Sequence, residues 1–164
     1  MQILVTGSQG FIGQNLVTEL LQSQSYTVDT FNRDDVISSL EPKIIKADAI
    51  IHLAGENRPS DNEDFERGNH QLTRKICQVI EKVNKNIPII FSSSTQATED
   101  NLYGKSKLAA ENVLQELSKK VGNPVTIYRL PGVFGKWSKP NYNSVVATFC
   151  YNIANQLPIT INEP

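Results

Sequence analysis

The sequence of 164 residues fits one domain of common size and is long enough to bury a sizeable core. Apolar residues make up 39% of it and charged residues 20%, as in ordinary soluble proteins, and no apolar stretch approaches the length of a membrane helix. The formal net charge of −1 gives no electrostatic reason to expect nucleic acid or an anionic membrane as a partner.

Short apolar runs alternate with segments of helical periodicity along the chain. The apolar runs predict strands over residues 2–6, 26–31, 47–53, 87–94 and 124–130. Helical spacing predicts helices over residues 11–21, 65–83, 102–121 and 143–155, and the third strand is reached through a short irregular or weakly helical segment. Strands that alternate with helices imply right-handed crossovers. The sequence therefore predicts an α/β fold, a doubly wound parallel sheet of the Rossmann type with three layers, α/β/α.

Three glycines follow the first predicted strand and open the first helix. Gly7 can supply a tight turn, Gly10 lets the backbone approach a pyrophosphate, and Gly13 lets the helix pack closely on the strand. The pyrophosphate would lie against free N–H groups at the helix N-terminus. A Walker-type phosphate loop is excluded because no Gly-Lys-Ser/Thr sequence follows. The pattern predicts dinucleotide binding at the carboxyl end of the sheet.

The end of the second strand indicates which dinucleotide binds. Domains specific for NAD usually carry an acidic residue there, which accepts hydrogen bonds from the ribose. This chain has Asn32 followed by Arg33, and a guanidinium beside an uncharged residue suits a 2′-phosphate. In the alternative interpretation Arg33 is a solvated loop charge, and Asp34 or Asp35 contacts the ribose of NAD(H). We predict NADP(H) as the cofactor.

A second cluster of polar residues follows the fourth strand. Tyr103 and Lys107 are four residues apart and therefore project from one face of the predicted helix. A neighbouring ammonium, together with an oxidised nicotinamide, favours the phenolate and moves the tyrosine pKa towards neutrality. Ser94, at the end of the fourth strand, can hydrogen-bond the same substrate oxygen. Hydride transfer to a carbonyl needs such a proton donor, a group that tunes it and a group that orients the carbonyl.

The successive segments "VTGSQGFIG", "DAIIHLAG", "FSSS", "YGKSK" and "YRLPGVFG" resemble the NAD-dependent epimerase/dehydratase family of extended short-chain dehydrogenases/reductases. The resemblance implies that the pyrophosphate is lined by Gly7, Gly10, Phe11, Ile12 and Gly13. It also implies that the adenosine ribose and phosphates are bordered by Leu53, Ala54 and Gly55. Asn69 would lie near the active site as a cofactor contact. Ser94, Tyr103 and Lys107 would be the catalytic residues, and Lys107 would also bond the nicotinamide ribose.

Further segments, "HLAGENRP", "SSSTQATEDNLYGKSK" and "FGKWSKPNYNSVVATFCYNIA", are similar to the CapF-like bifunctional reductases of capsular polysaccharide biosynthesis. That resemblance implies NADPH-dependent reduction of the 4-keto group of a UDP-linked N-acetyl-6-deoxyhexosamine. The candidates for contact with this nucleotide-sugar substrate are Arg58, Gln96, Lys136 and Asn141. The family also implies a homodimer built from the predicted helices over 65–83 and 102–121.

Two departures from the family pattern leave alternatives open. Most members carry an asparagine where this chain has Gly132, which lacks a side chain for that contact. The second departure is that the family's later strands and helices do not follow. We expect residues 1–164 to be the NADP(H)-binding Rossmann domain, with the rest of the substrate lobe and any C-terminal cupin absent. An NAD-dependent epimerase or dehydratase is one alternative, although Thr95 and Gln96 follow Ser94 without the acid pair typical of dehydratases. A non-catalytic NADP(H)-binding module is the other.

The remaining reactive side chains carry no further chemistry in this interpretation. Cys77 and Cys150 lie far apart and lack the spacing of metal ligands, so we expect reduced thiols and no metal site. Reduced thiols, and an N-terminus without the basic start of a signal peptide, predict a cytoplasmic protein. His52 lies in a strand predicted to be buried and is interpreted as a core histidine bonded to the backbone.

Overall fold

The structure is a computed structural model that describes residues 1–161, and the chain divides into two compact units, Met1–Pro131 and Gly132–Pro164. The strands of the first unit are β1 (Gln2–Thr6), β2 (Thr27–Phe31), β3 (Ala49–His52), β4 (Ile89–Ser94) and β5 (Val125–Leu130). Its α-helices are α1 (Phe11–Gln22), α2 (Leu40–Lys46), α3 (Glu63–Phe65), α4 (Leu72–Val83) and α5 (Leu102–Val121). The second unit contains helix α6 (Val145–Ala154).

The five strands form one parallel sheet in the order β2-β1-β3-β4-β5. The chain moves from β1 to β2 in one direction and then returns across β1 to add β3, β4 and β5 on the other side. Right-handed crossovers in opposite directions place α1 on one face of the sheet and α2, α4 and α5 on the other. This arrangement confirms the predicted doubly wound sheet. It also places the ligand-binding crevice between the loops that follow β1 and β3.

The core lies between the sheet and helices α2, α4 and α5. Ile76 and Ile80 are four residues apart on α4 and fully buried, as are Ala110 and Leu114 on α5. These side chains pack with Leu4 of β1 in one continuous apolar cluster. The periodicity of both helices thus directs one apolar face of each onto the sheet. No helix within residues 1–161 has the length and apolar character that a membrane span requires.

The observed ends of several elements differ from the predicted ones for identifiable reasons. Strand β3 begins at Ala49, since Ala47 donates its N–H to the last carbonyls of α2 and so caps that helix. Strand β4 begins at Ile89 because Pro88 has no N–H to donate, although its carbonyl accepts from Ile50 at 3.0 Å. The helix predicted over 65–83 contains a π-helical stretch, Glu66–Gln71, between α3 and α4.

Candidate active site

The glycines after β1 bring three elements into close contact. Gly7 has φ +73°, and a Cβ atom there would lie 2.6 Å from the Ala54 nitrogen of the loop after β3. A Cβ atom at Gly13 would overlap the carbonyl oxygen of Gly7. Glycine is therefore required at both positions, the first for its backbone conformation and the close approach of β3, the second for the packing of α1.

The N-terminus of α1 has the features of an anion cradle. Gly10 is the N-cap and provides no side-chain cap, and the N–H groups of Phe11, Ile12 and Gly13 have no acceptor among residues 1–161. A Cβ atom at Gly10 would meet only the Gly7 oxygen, at 3.3 Å, so the outer side of the loop is open. Free donors and the helix dipole beside open space fit the pyrophosphate of a dinucleotide.

Asn32 links the end of β2 to the glycine loop. Its Oδ1 atom accepts hydrogen bonds from the Ser8 hydroxyl at 3.0 Å and from the Gln9 N–H at 3.3 Å. The neighbouring Arg33 side chain is 76% exposed and forms an ion pair with the Glu56 carboxylate. A solvent-accessible guanidinium thus lies at the end of β2, engaged by a carboxylate from the loop after β3.

A chain of hydrogen bonds runs through His52 beneath this crevice. Thr73 donates its only hydroxyl proton to the Asn69 carbonyl at 2.6 Å, so it accepts from Nε2–H of His52 at 2.9 Å. Nδ1 is then the acceptor for the Thr6 hydroxyl at 2.6 Å, and the same Thr6 oxygen accepts from the Ala54 N–H at 3.2 Å. His52 is a core histidine as predicted, but its ring bonds side-chain hydroxyls and not the backbone.

Asn69 holds the loop after β3 in place. Its Oδ1 atom accepts from the Glu56 N–H at 2.8 Å, and its Nδ2 group donates to the Glu56 carbonyl at 3.0 Å and to Ser106 of α5 at 2.9 Å. The Leu53 N–H donates to the carbonyl of Thr6 at 3.1 Å and fixes the start of the same loop. The Asn69 amide is thus engaged by other groups of the protein, and its contact with a cofactor remains a prediction.

Ser94 and Tyr103 are brought together by the tight connection between β4 and α5. Asn101 caps α5 by accepting from the Gly104 N–H at 2.7 Å. A Cβ atom at Gly104 would overlap the carbonyl oxygen of Gln96, so glycine lets α5 approach the segment that follows β4. Burial raises the pKa of Tyr103, and hydrogen bonding with Ser94 opposes that effect. The direction of this shift favours the protonated phenol near neutral pH.

Lys107 lies one turn after Tyr103 and is 5% exposed. Its Nζ atom donates to the Ser92 carbonyl at 2.9 Å and lies 4.9 Å from the centroid of the Phe91 ring. A Cβ atom at Gly55 would lie 3.1 Å from the same Nζ atom, which places Lys107 beside the loop after β3. Burial is the main influence on the pKa of Tyr103 in this structure, and the effect of the Lys107 ammonium together with an oxidised nicotinamide remains a prediction.

The structure also shows an ionic group that the sequence interpretation missed. Glu111 is buried on α5, and its carboxylate bonds Arg129 of β5 and the Ser93 hydroxyl. The available signal was its position four residues after Lys107, which itself follows Tyr103 by four. Its partner on β5 became identifiable only once the strand was paired with β4.

The four substrate candidates are exposed and lie in separate segments. Arg58 follows β3, and the Gln96 N–H donates to the Ser94 hydroxyl at 3.2 Å, so Gln96 adjoins a predicted catalytic residue. Lys136 and Asn141 belong to the second unit, where the Lys136 ammonium lies 4.3 Å from the Trp137 ring centroid. Their contacts with substrate remain predictions. A Cβ atom at Gly132 would meet no atom within 4 Å.

The parallel sheet, its switch point and the open glycine loop define a dinucleotide-binding protein of the Rossmann type. Comparison with known families then identifies the group: residues 3–163 match the NAD dependent epimerase/dehydratase family, and the chain belongs to that family. The resemblance drawn from the sequence motifs is thereby confirmed.

Two curated proteins show how similar the chain is to members of known activity. UDP-2-acetamido-2,6-beta-L-arabino-hexul-4-ose reductase of Pseudomonas aeruginosa is 49% identical over 163 residues, which are 99% of this chain and 44% of that protein. D-erythronate dehydrogenase of Haemophilus influenzae is 27% identical over 86% of this chain and 58% of its own length. The chain thus spans less than half of the first relative and somewhat more than half of the second.

Solved structures agree with this assignment. The capsular polysaccharide assembling protein CapF from Staphylococcus aureus superposes with a TM-score of 0.85 at 44% identity, covering 99% of this chain and 44% of that one. The UDP-glucuronic acid 4-epimerase from Bacillus cereus in complex with NAD has a TM-score of 0.83 at 21% identity, over 98% of this chain and 66% of its own. The second likeness shows a shared fold.

Proposed function

We propose that the protein is an NADPH-dependent reductase of the 4-keto group of a UDP-linked N-acetyl-6-deoxyhexosamine, in the biosynthesis of a capsular or other surface polysaccharide. The observation that carries the proposal is the pairing of Ser94 with Tyr103, together with Lys107 one turn further along α5 and beside the loop after β3. Similarity to a reductase named for a UDP-linked hexul-4-ose, and to CapF, supports the substrate class and the polysaccharide context.

The residues of this group divide the chemistry among them. Bound NADPH would supply the hydride that reduces the carbonyl carbon. Tyr103 holds a proton at its Oη atom, since burial raises its pKa, and in the proposed reaction donates that proton to the carbonyl oxygen. Ser94 donates a hydrogen bond to the same oxygen and orients it. Lys107, as an ammonium, stabilises the phenolate that Tyr103 becomes.

The choice of NADPH over NADH rests on the end of β2. Asn32 occupies the position of the usual ribose-binding carboxylate, and its side chain already bonds Ser8 and Gln9. Arg33 is accessible to solvent and presents the planar, charged donor that suits a 2′-phosphate. We propose that the phosphate replaces Glu56 as the partner of Arg33.

Fluorescence titration with NADPH and with NADH tests the cofactor, and NADPH consumption with a UDP-linked 4-keto sugar tests the reaction. We expect Tyr103→Phe to bind NADPH normally and to lose turnover by about 10²–10⁴-fold, while Tyr26→Phe, at an exposed position, behaves as wild type. Preference for NADH would overturn the cofactor assignment and favour an epimerase. Tight NADPH binding without any turnover would favour a non-catalytic module.

We further propose that the protein is a homodimer that pairs through the helical segment over 65–83 and helix α5. Leu102 and Leu108 are exposed apolar side chains of α5, and Leu102 lines a depression of about 370 Å³ together with Phe65 and Ala109. Apolar surface of this kind is typical of contact regions. Sedimentation equilibrium should give twice the chain mass, and Leu102→Glu should give a monomer. A monomeric wild type would contradict the proposal.

We also propose a cytoplasmic location. Cys77 and Cys150 are both free thiols, which supports a reducing compartment. Fractionation of cells that produce the protein tests this, and recovery from the periplasm or medium would contradict it.

A further inference from the structure

Helix α5 carries a third ionisable residue in line with Tyr103 and Lys107. Glu111 follows Lys107 by four residues, the interval that also separates Lys107 from Tyr103, so the three side chains share one helix face. The Glu111 side chain is 2% exposed. Its carboxylate accepts from the Ser93 hydroxyl and from Nε and Nη2 of Arg129, at 3.0 and 2.7 Å. Glu111 is thereby fixed between β4 and β5.

Lys107 is a buried cation whose observed hydrogen-bond acceptor is uncharged. Its Nζ atom donates to the Ser92 carbonyl and otherwise faces the Phe91 ring. A carbonyl and an aromatic ring attract an ammonium, yet neither carries a full negative charge. Burial of an ammonium favours the neutral amine unless a negative charge compensates it. An ionised acid near Lys107 is therefore needed to keep it in its ammonium form.

Two acids lie near Lys107, and one of them, Glu56 in the loop after β3, is already paired with Arg33. From β3, His52 contributes an imidazole that burial keeps neutral, and on α5 Tyr103 is a protonated phenol. Arg129 of β5 carries a positive charge and is paired with Glu111. Burial lowers the pKa of Lys107 to about 8, and the charge on Glu111 acts in the opposite direction. Glu111 is therefore the acid available to compensate the charge of Lys107.

We propose that Glu111 is a positioning residue that keeps Lys107 in its ammonium form near neutral pH, with Ser93 and Arg129 holding the carboxylate in place. The proposal rests on the proposed function, in which a charged Lys107 stabilises the Tyr103 phenolate. A buried ion pair is by itself a weak source of stability, because desolvation offsets the attraction. A contribution to stability therefore does not by itself account for the buried Glu111 carboxylate, whereas an effect on the charge state of Lys107 does.

NMR of the protein labelled with isotopic lysine measures the titration of Lys107 directly, with Lys107→Arg identifying its signal. We expect Glu111→Gln to lower the titration midpoint by about one pH unit or more. Glu116→Gln, at an exposed position of the same helix, is the matched control and should leave the midpoint unchanged. Arg129→Gln should raise the midpoint, since a positive charge is removed and the carboxylate then acts on Lys107 alone.

The Lys107 titration midpoint should fall in Glu111→Gln and rise in Arg129→Gln, and these opposite shifts separate a positioning role from a merely structural one. If Glu111 only stabilised the fold, both Glu111→Gln and Arg129→Gln would lower Tm and leave the Lys107 midpoint where it was, which would overturn the proposal. Should Glu111→Gln not fold, Arg129→Gln decides: a rise supports the proposal, and no change or a fall overturns it. The titration uses the protein without substrate, so absence of reductase activity would contradict the proposed function and leave this result standing.

Discussion

We expect acid to destabilise this protein through His52, because the native structure buries the imidazole and burial favours its neutral form. The ring lies between the hydroxyls of Thr6 and Thr73 and has no contact with solvent. Burial, with a smaller contribution from the charge of Lys107, lowers the pKa of His52 from 6.5 to about 3. Protonation of Nδ1 would also remove the acceptor for the Thr6 hydroxyl. Replacement of His52 by glutamine, which is neutral at every pH, tests this account.

The size of the acid effect on the free energy of unfolding follows from the pKa values of His52 in the unfolded chain and in the native state. In the unfolded chain His52 binds a proton below pH 6.5, whereas in the native state it does so only below about pH 3. Between these values the unfolded state holds more protons, so the free energy of unfolding falls as the pH falls. From pH 7 to pH 5 the linkage removes about 2 kcal/mol from the free energy of unfolding.

Urea denaturation at pH 7 and pH 5 provides the assay. We expect the wild type to lose about 2 kcal/mol more over this interval than His52→Gln does. The matched control is His70→Gln. His70 bonds Glu66 and not the His52 cluster, so this variant keeps the contribution of His52 to the pH dependence. Equal pH dependence in the wild type and His52→Gln would refute the conclusion that the native imidazole stays neutral.

Two further predictions concern the cofactor crevice. Gly13→Ala should weaken binding of NADPH and destabilise the fold by about 1–3 kcal/mol, since its Cβ atom overlaps the Gly7 carbonyl, whereas Gly132→Ala should leave thermal stability and binding unchanged. Normal NADPH binding by Gly13→Ala would contradict the placement of the cradle. Arg33→Gln should lower affinity for NADPH about tenfold or more and spare NADH, while Glu56→Gln should raise affinity for NADPH by freeing the guanidinium. An equal loss of both cofactors in Arg33→Gln would refute the phosphate assignment.

Local patterns in the sequence determined the order of strands and helices, the glycine loop and the position of the predicted catalytic residues. Apolar periodicity predicts helix α5 over 102–121 as observed, because its buried face repeats with the helical period. Gly13 is recognisable from the sequence because its close packing against Gly7 lies within one βα unit, and Gly7 because its left-handed backbone conformation favours glycine; the approach of Ala54 to Gly7 is a tertiary contact. The doubly wound sheet then follows from the alternation of elements and the handedness of their crossovers.

The tertiary structure alone decided the contacts that join distant parts of the chain. Asn69 bonds the Glu56 backbone and holds the loop after β3. Glu111 pairs with Arg129 of β5, and Lys107 donates to the Ser92 carbonyl. The raised pKa of Tyr103 belongs to the same group, because it depends on burial by surrounding elements. Sequence periodicity reports which face of an element is apolar. It carries no information on which polar groups meet, since pairing depends on strand register and helix approach.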